Sequence, residues 1–335
     1  MKPLLIPQLV NDPFGDPAVY VDFLFERRAI LFDLGDLAPL SPRKLLRVSH
    51  IFVSHAHMDH FIGFDSLVRL LLGRDRELHI FGPPGFVAQV EHRLAGYTWN
   101  LVESYLTDFT IVAWELHQDD RLVSAEFHCQ RGFRRENETW RPAKGGLLID
   151  EETMQLRAVT LDHRTPSLAF ALEEKLHVNI LKNRLTERGW PVGPWLAELK
   201  RAVQRAEPDE TPFRLWWREG GSLREETVAL GELKRTILTV EPGQKIAYVA
   251  DSAYHEANAS RIVALARDAD YLFIEAPFPE SDAERARERF HLTARRAGEL
   301  AKKANVRQVV PFHFSPRYEG DEELLREEVM RAFRE

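Results

Sequence analysis

Short apolar runs and longer amphipathic segments alternate along the first third of the chain. The apolar runs have the length and period of strands, whereas apolar side chains recur every three to four residues in the longer segments, as on one face of a helix. A repeated order of strand, loop and helix is typical of an α/β fold. The predicted strands cover residues 18–25, 29–32, 51–53 and 78–81, and the predicted helices cover residues 42–48, 64–72 and 86–95.

Strand patterns dominate the middle of the chain, and strands and helices alternate again towards its carboxyl end. The predicted strands cover residues 109–123, 125–129, 145–149, 156–160, 244–251, 271–275 and 308–310, and the predicted helices cover residues 195–206, 259–268, 294–304 and 321–334. We therefore interpret residues 1–335 as a single domain of the α/β class. Residues 176–240 form an insertion within it.

The inserted segment 176–240 differs in charge from the rest of the chain. It holds eleven Lys or Arg against nine Asp or Glu, whereas the whole chain has a net charge of −7. Basic residues interleaved with tryptophans suit contact with phosphates and bases of a nucleic acid. A solvated lid or a dimerisation element explains the same composition equally well.

Composition excludes several classes of protein. With 44% hydrophobic and 29% charged residues, the 335-residue chain is typical of a soluble globular protein. The negative net charge argues against a protein that coats nucleic acid through bulk charge, although it leaves room for a local basic patch. Cys129 is the sole cysteine, which excludes an intrachain disulfide and a thiolate-rich metal site. No apolar run is long enough to span a bilayer, and residues 1–7 lack the apolar core of a signal peptide, so we expect a cytoplasmic protein without membrane contact.

Residues 54–60 concentrate histidine and aspartate directly after an apolar run. His55, His57, Asp59 and His60 are hard to explain by packing, because both residue types are usually exposed or singly satisfied. In an extended segment His55 and His57 point to the same side, so both can reach one metal ion. Asp59 and His60 follow where the chain turns into a helix and can face a second ion. The alternative is a polar loop in which Asp59 lies near a helix cap.

The spacing His55-x-His57-x-Asp59-His60 resembles the metal-binding signature of the metallo-β-lactamase superfamily. The resemblance implies an αββα sandwich that holds one or two metal ions, most often zinc, with Mn²⁺ or Fe²⁺ as alternatives. This sandwich would carry the insertion as an arm or lid. Asp33 lies in a turn after the strand 29–32, where it would either support a ligand histidine or simply form the turn.

Three further ligand-type residues, His163, Asp251 and His313, each lie at the end of a predicted strand or just beyond it. Alone, each would more often be an ordinary hydrogen-bonded or capping residue. With the motif they make five imidazoles and two carboxylates, a donor set that suits zinc. Two close ions would supply a bridging hydroxide near neutral pH, which makes hydrolysis the expected reaction. We assign His55, His57 and His163 to one ion, Asp59, His60 and His313 to the other, and Asp251 to both.

Two pieces near the carboxyl end are distinctive, His291-x-Thr293 and His313-x-Ser315-x-Arg317-Tyr318. Through them the chain resembles the ribonuclease Z family of tRNA 3′-processing endonucleases, and the resemblance covers most of residues 20–320. The resemblance implies a dinuclear zinc phosphodiesterase that acts on a phosphodiester such as a tRNA precursor, and it implies a homodimer. Asp59 and His291 would be catalytic, with His291 protonating the leaving 3′ oxygen. Ser315 and Arg317 would help to hold phosphate.

Departures from that family keep other hypotheses open. Residues 11–17 stand where a Gly-Thr-rich substrate loop is usual, Ser252 replaces a threonine beside Asp251, and the insertion carries tryptophans where a glycine- and lysine-rich arm is usual. A hydrolase of the same fold that acts on a lactone, thioester or cyclic nucleotide is therefore the alternative. A binding protein without activity is a third hypothesis, although binding alone gives no reason to retain seven ligand positions.

Overall fold

The computed structural model describes residues 5–24 and 26–335. Their backbone contacts divide the chain into two compact units. The first unit contains the described residues up to Leu148, then Arg157–Ala171 and Lys245–Glu335; the second contains Ile149–Leu156 and Leu172–Gln244. The predicted strand 18–25 ends on Phe25, and the prediction about a signal peptide includes residues 1–4, so both fall partly outside the described residues.

The strands form one sheet of eight, one of six and two pairs in the described part of the chain. The large sheet has the order β1 to β8, the six-stranded sheet has the order β18-β17-β16-β11-β10-β9, and the pairs are β12-β15 and β13-β14. Their bounds are β1 Leu5–Leu9, β2 Val19–Phe23, β3 Ala29–Phe32, β4 Val48–Phe52, β5 Arg76–Gly82, β6 Phe109–Leu116, β7 Arg121–His128, β8 Arg135–Pro142, β9 Leu147–Asp150, β10 Met154–Asp162, β11 Pro166–Glu174, β12 Leu176–Ile180, β13 Pro212–Glu219, β14 Ser222–Ala229, β15 Leu238–Pro242, β16 Lys245–Val249, β17 Tyr271–Glu275 and β18 Gln308–Phe312.

Helices connect many of these strands. Three of them, α5 to α7, belong to the second unit, and the others belong to the first. Their bounds are α1 Pro42–Leu45, α2 Met58–Phe61, α3 Phe64–Leu71, α4 Phe86–Ala95, α5 Lys182–Glu187, α6 Trp195–Gln204, α7 Leu230–Ile237, α8 Glu256–Ala266, α9 Ala283–Arg289, α10 Ala294–Lys303 and α11 Glu322–Arg334.

Helices cover the outer face of each sheet in the first unit. Apolar side chains of α3 and α4, such as Leu67 and Val90, pack with Ile51 and Ile80 of the large sheet. The helices α8, α10 and α11 cover the other sheet in the same way through a second apolar cluster. Each helix thus buries its apolar stripe against a sheet, as the sequence period of three to four predicts.

Aromatic rings fill the space between the two sheets. The ring of Phe32 on β3 lies 5.8 Å from that of Phe170 on β11 and 5.4 Å from that of Tyr248 on β16. Phe52 on β4 lies 5.7 Å from Phe170. All four side chains are fully buried. The layers are therefore helix, sheet, sheet and helix, which confirms the predicted αββα sandwich.

The parallel strands bring their carboxyl ends to one edge of each sheet. β3, β4, β5 and β6 run parallel, as do β16, β17 and β18. Loops that follow parallel strands are the usual location of functional residues in α/β proteins. The histidine motif and the predicted ligands Asp251 and His313 lie on such loops.

Several predicted boundaries were wrong. Residues 109–123 are not one strand, because residues 117–120 form a tight turn between β6 and β7, with Asp120 in the left-handed region at φ 58°. The helix predicted over 42–48 ends at Leu45, since Val48 already pairs with β3. β8 went unpredicted because it lies at the sheet edge with almost entirely exposed side chains and so has no alternation to detect.

The second unit has its own apolar core, which explains most of its aromatic content. Trp195 is fully buried, and Trp190 is buried while its indole N–H donates to Glu226 over 2.8 Å. Trp216 and Trp217 are partly buried against the same core. Packing in this core therefore explains the tryptophans that the sequence suggested as groups for stacking on nucleic-acid bases. Residues 176–240 lie within this unit, and their role as an arm or lid stays a prediction.

Among the described helices, none is both long and apolar enough to cross a membrane.

Candidate metal centre

The motif 54–60 changes from extended to helical backbone between its second and third histidines. His57 has extended angles, φ −65° and ψ 155°, and precedes the short helix α2. His55 and His57 therefore lie on the extended part, while Asp59 and His60 lie on the first turn of the helix. This is the arrangement that the spacing predicts for residues facing two different ions.

Four predicted ligands form the first group. Ligand atoms of His55, His57, His163 and Asp251 all lie within 4.8 Å of one another. The Oδ2 atom of Asp251 lies 3.7 Å from Nε2 of His55 and 3.4 Å from Nε2 of His163. The imidazole centroids of His55 and His57 are 4.2 Å apart. His163 joins the motif although more than a hundred residues separate them in the chain.

Asp59, His60 and His313 form the second group, also within 4.8 Å. Nε2 of His313 lies 3.2 Å and Nε2 of His60 lies 3.4 Å from Oδ2 of Asp59. The other oxygen of Asp251, Oδ1, lies 3.3 Å from Nε2 of His60 and 3.0 Å from Nδ1 of His313. Asp251 therefore turns one oxygen towards each group, as a residue shared between two ions must.

Asp33 supports this cluster from behind. Its carboxylate accepts hydrogen bonds from the Ser54 backbone N–H at 2.6 Å and from the Tyr248 hydroxyl at 2.7 Å. Nδ1 of His60 lies 2.8 Å from Oδ2 of Asp33. The left-handed backbone of Asp33, at φ 55°, brings the carboxylate under the motif. Of the two interpretations of this turn, the geometry favours support of a ligand histidine.

Several ligand atoms at the centre of the cluster have no hydrogen-bond partner among the described residues. They are Nε2 of His55, Nε2 of His60, Oδ1 of Asp251 and Nδ1 of His313, all buried. The short distance between Asp251 and His313 joins atoms whose orientation does not form a hydrogen bond. Unpaired buried polar atoms are costly and uncommon in native proteins. Bound cations would satisfy all four, so the residues present fit divalent metal ions.

The charges inside the cluster also favour bound cations. Burial lowers the pKa of His60, but the Asp251 and Asp33 carboxylates outweigh burial and raise that pKa to about 10. Burial likewise lowers the pKa of His313, whereas Asp251 and its other acidic neighbours raise it well above the usual value. The carboxylates therefore attract positive charge to this cavity. A divalent ion would take the place of the imidazole protons, as metal binding to histidine generally does.

His291 lies beside the two groups and contacts Glu275. Its Nδ1 atom is 2.6 Å from Oε2 of Glu275 and 3.9 Å from Oδ2 of Asp251. Burial lowers the pKa of His291, but the adjacent Glu275 carboxylate more than offsets this and raises it above the usual value. With Nδ1 occupied by Glu275, Nε2 is the nitrogen left to face a substrate.

Phe290 links His291 to the first group of ligands. It ends α9 in the left-handed region, at φ 61°, and its backbone carbonyl lies 2.7 Å from Nδ1 of His163. The same turn directs the next side chain, His291, towards Glu275. The candidate metal ligand His163 and the candidate acid His291 are therefore both positioned by one residue with a left-handed backbone, as is common at functional sites.

Glu275 is a candidate site residue that the sequence alone did not identify. It is fully buried at the end of β17 and forms a group of possible ligands with Asp251, His291 and His313. It also accepts hydrogen bonds from the backbone N–H groups of Ser252 at 2.8 Å and Leu292 at 3.1 Å. The sequence feature that could have identified Glu275 is its position as the single carboxylate at the end of the otherwise apolar strand β17.

Ser315 and Arg317 are less closely tied to the cluster than the other predicted residues. Ser315 is half-buried and caps the short turn that follows His313, while Arg317 is exposed. Among the described residues, no hydrogen bond or ion pair links either side chain to the metal-ligand groups. The structure thus brings together all seven predicted ligands and His291, but not these two.

An αββα sandwich with histidines and carboxylates at its strand ends defines a hydrolase of the metallo-β-lactamase fold. A family described as beta-lactamase superfamily domain matches residues 217–314. The chain is 30% identical to ribonuclease Z of Deinococcus radiodurans over 96% of its own length and 94% of that protein, and 31% identical to ribonuclease Z of Halorubrum lacusprofundi over 91% and 83%. The chain belongs to the ribonuclease Z family, and it is a metal-dependent hydrolase of the phosphodiesterase class.

Solved structures agree on the fold. The short form of human tRNase Z is 21% identical, with a TM-score of 0.53 over 93% of this chain and 92% of that one. The metallo-beta-lactamase fold protein YhfI of Bacillus subtilis is 15% identical, with a TM-score of 0.55 over 98% and 94%. Both confirm the predicted fold class.

Proposed function

We propose that the protein is a dinuclear zinc-dependent endoribonuclease that cleaves a phosphodiester bond in a tRNA precursor. The observation that carries this proposal is the position of His291, held by Glu275 beside two ligand groups that share Asp251. Family membership supports it, since the relatives named above are ribonuclease Z proteins.

His55, His57 and His163 would hold one ion, Asp59, His60 and His313 would hold the other, and Asp251 would contact both. Such ions activate water for attack and stabilise the charge that develops on phosphate in the transition state. The donor set of imidazoles and carboxylates without thiolates suits zinc, with Mn²⁺ or Fe²⁺ as alternatives. The Asp59 side chain is 41% exposed and that of Asp251 is 4% exposed, so Asp59 is the carboxylate of the set that an incoming substrate would reach.

His291 would donate a proton from Nε2 to the leaving 3′ oxygen. Its hydrogen bond to Glu275 fixes the ring and favours the charged form, which is the form that an acid needs. Glu275 is itself anchored by two backbone N–H groups, so the pair is rigid. Arg317 would contact a phosphate further along the substrate. It is exposed, and no ion pair in the described part of the chain involves it.

A small-molecule hydrolase remains the second candidate, because an acidic loop occupies the place of the usual substrate loop. Burial raises the pKa of Asp16 in this loop, and the nearby Asp59 and Asp36 carboxylates raise it further. A carboxylate so close to Asp59 disfavours a polyanion at that side of the cluster. A neutral lactone or thioester would not meet this repulsion.

A substrate panel separates the two candidates. Metal content is measured first, and the metal-loaded protein is then assayed with bis(p-nitrophenyl) phosphate, a tRNA precursor and a lactone. We expect cleavage of both phosphodiesters and a single cut at the 3′ side of the precursor. Cleavage of the lactone with neither phosphodiester touched would contradict the proposal. Light scattering in the same preparation tests the predicted homodimer.

A further inference from the structure

A cavity of about 500 Å³ opens next to His291 within the first unit. Its wall comes from the loop after Asp251, from α9 and from the start of α10. We call it the side cavity, and the residues that matter here are Tyr254, His255, Glu280, Arg287, His291 and Arg296. None of these belongs to the two groups that we assign to metal ions, and His291 lies beside those groups.

An aromatic ring and a guanidinium lie against each other in the wall of the side cavity. The Cζ atom of Arg296 is 4.6 Å from the centroid of the Tyr254 ring, a cation–π distance. Glu299 accepts from Arg296 over 2.7 Å and holds the guanidinium in place. Tyr254 nevertheless remains 40% exposed. An exposed, held aromatic ring is a surface on which a planar group can stack.

The lining of the side cavity carries both signs of charge. The carboxylates of Glu280, Glu284 and Asp162 line it together with the guanidinium groups of Arg287 and Arg296. Glu280 lies 3.7 Å from Arg296, and Asp162 lies 3.5 Å from His255. A phosphate placed here would meet three carboxylates. A neutral base can accept from the cations and donate to the carboxylates, so this lining fits a nucleobase better than a phosphate.

We propose that the side cavity binds the nucleobase of the nucleotide whose 3′ oxygen leaves, with the base stacked on Tyr254. The inference rests on the proposed function, because His291 marks the leaving-group side only if it is the acid. His291 lines the side cavity and lies 3.9 Å from Asp251 of the ligand groups, so the ribose of that nucleotide would lie between the two. The base would then orient the leaving oxygen towards Nε2 of His291.

The test compares Tyr254→Leu with the matched control Tyr254→Phe, which keeps the ring. Each protein is assayed on a precursor RNA and on the same RNA with an abasic site at the nucleotide before the cut. Base–aromatic stacking implies that wild type and Tyr254→Phe prefer the intact RNA by about tenfold or more in kcat/KM. In Tyr254→Leu this preference should fall close to one. A preference that is unchanged in Tyr254→Leu, or absent in wild type, would overturn the assignment.

A binding measurement keeps this inference separate from the RNA cleavage assay. Saturation-transfer NMR with adenosine needs no turnover and should detect contact with the base protons in wild type and Tyr254→Phe but not in Tyr254→Leu. Adenosine contact without RNA cleavage would sink the proposed function while supporting a base-binding cavity. RNA cleavage with equal adenosine signals in all three proteins would sink the cavity assignment alone.

Discussion

The carboxylate of Asp33 lies 2.8 Å from Nδ1 of His60 and is itself held by the Tyr248 hydroxyl across the sandwich. With Nδ1 engaged by Asp33, Nε2 of His60 faces Asp251 and Asp59. A carboxylate behind a ligand imidazole fixes the tautomer and the ring orientation and strengthens the ligand. This contact joins the turn after β3 to the motif after β4.

Replacing Asp33 by alanine should weaken metal binding by roughly 10- to 100-fold, the usual effect of losing such a support. The imidazole of His60 would lose its fixed orientation, and Ser54 would lose its acceptor. Competition with a chromophoric chelator measures the change. Tyr248→Phe removes only one of the hydrogen bonds to Asp33 and should have a clearly smaller effect. Equal affinities of Asp33→Ala and wild type would exclude a role of Asp33 in metal binding.

His291→Ala should keep its metal content and lose roughly 100-fold or more in turnover, as expected for a lost general acid. Its imidazole contacts Glu275 and is not part of either group that we assign to an ion. Elemental analysis and kcat on a tRNA precursor give the two readouts. Glu275→Gln is the matched variant, because it keeps the shape of the partner but removes its charge. Unchanged turnover of His291→Ala would make the residue structural.

Zinc should raise the thermal stability of the protein, and a chelator should lower it. The cause is the set of buried nitrogen and oxygen atoms at the centre of the cluster that lack hydrogen-bond partners among the described residues. Binding to the folded state stabilises by about 2.7 kcal/mol when the free ion is at 100 times its Kd. Scanning calorimetry across a zinc titration measures the shift. His60→Ala should show a smaller shift, and an equal one would place the zinc effect elsewhere.

Gly298→Ala should destabilise the protein, although alanine normally favours a helix by up to about 1 kcal/mol over glycine. A Cβ atom at this position of α10 would overlap the backbone oxygen of Val329 on α11, so the two helices would have to separate. Urea unfolding measures the free energy change. Gly96→Ala at the end of α4 is the control, since its φ is −67° and its added Cβ meets nothing closer than 3.3 Å. A gain in stability at position 298 would mean that α10 and α11 pack loosely.

Cys129 should resist alkylation in the native protein at pH 8. The side chain is fully buried, and burial, followed by the Asp108 charge, raises the pKa of the thiol to about 11. At pH 8 the thiol is therefore protonated, and only the thiolate is nucleophilic. Labelling with iodoacetamide followed by mass spectrometry should show slow modification that becomes fast in urea. Rapid modification of the native protein would indicate that the region around Cys129 opens.

The pattern of apolar and polar residues predicted a helix or strand correctly where the side chains of that element alone determine its structure. The amphipathic helices 64–72 and 86–95 appear as α3 and α4, because an apolar stripe must be buried against something. The exposed strand β8 was not predicted, because its side chains show no alternation of apolar and polar residues. Its strand conformation depends instead on pairing with β7. The tryptophans of the second unit show the converse case. The composition suggested a surface for binding nucleic acid, whereas the structure shows these side chains packed in or against an apolar core.

The sequence by itself determined the kind of chemistry, because His55, His57, Asp59 and His60 stand close enough in the chain for their spacing to imply shared ligation. It also indicated which distant residues could join them, since each closes a strand. Only the tertiary structure decided that Asp251 turns one oxygen to each group, that Asp33 supports His60, and that Glu275 holds His291. These relationships depend on the order of parallel strands in two sheets, and strand order brings together residues whose separation in the chain carries no local signal.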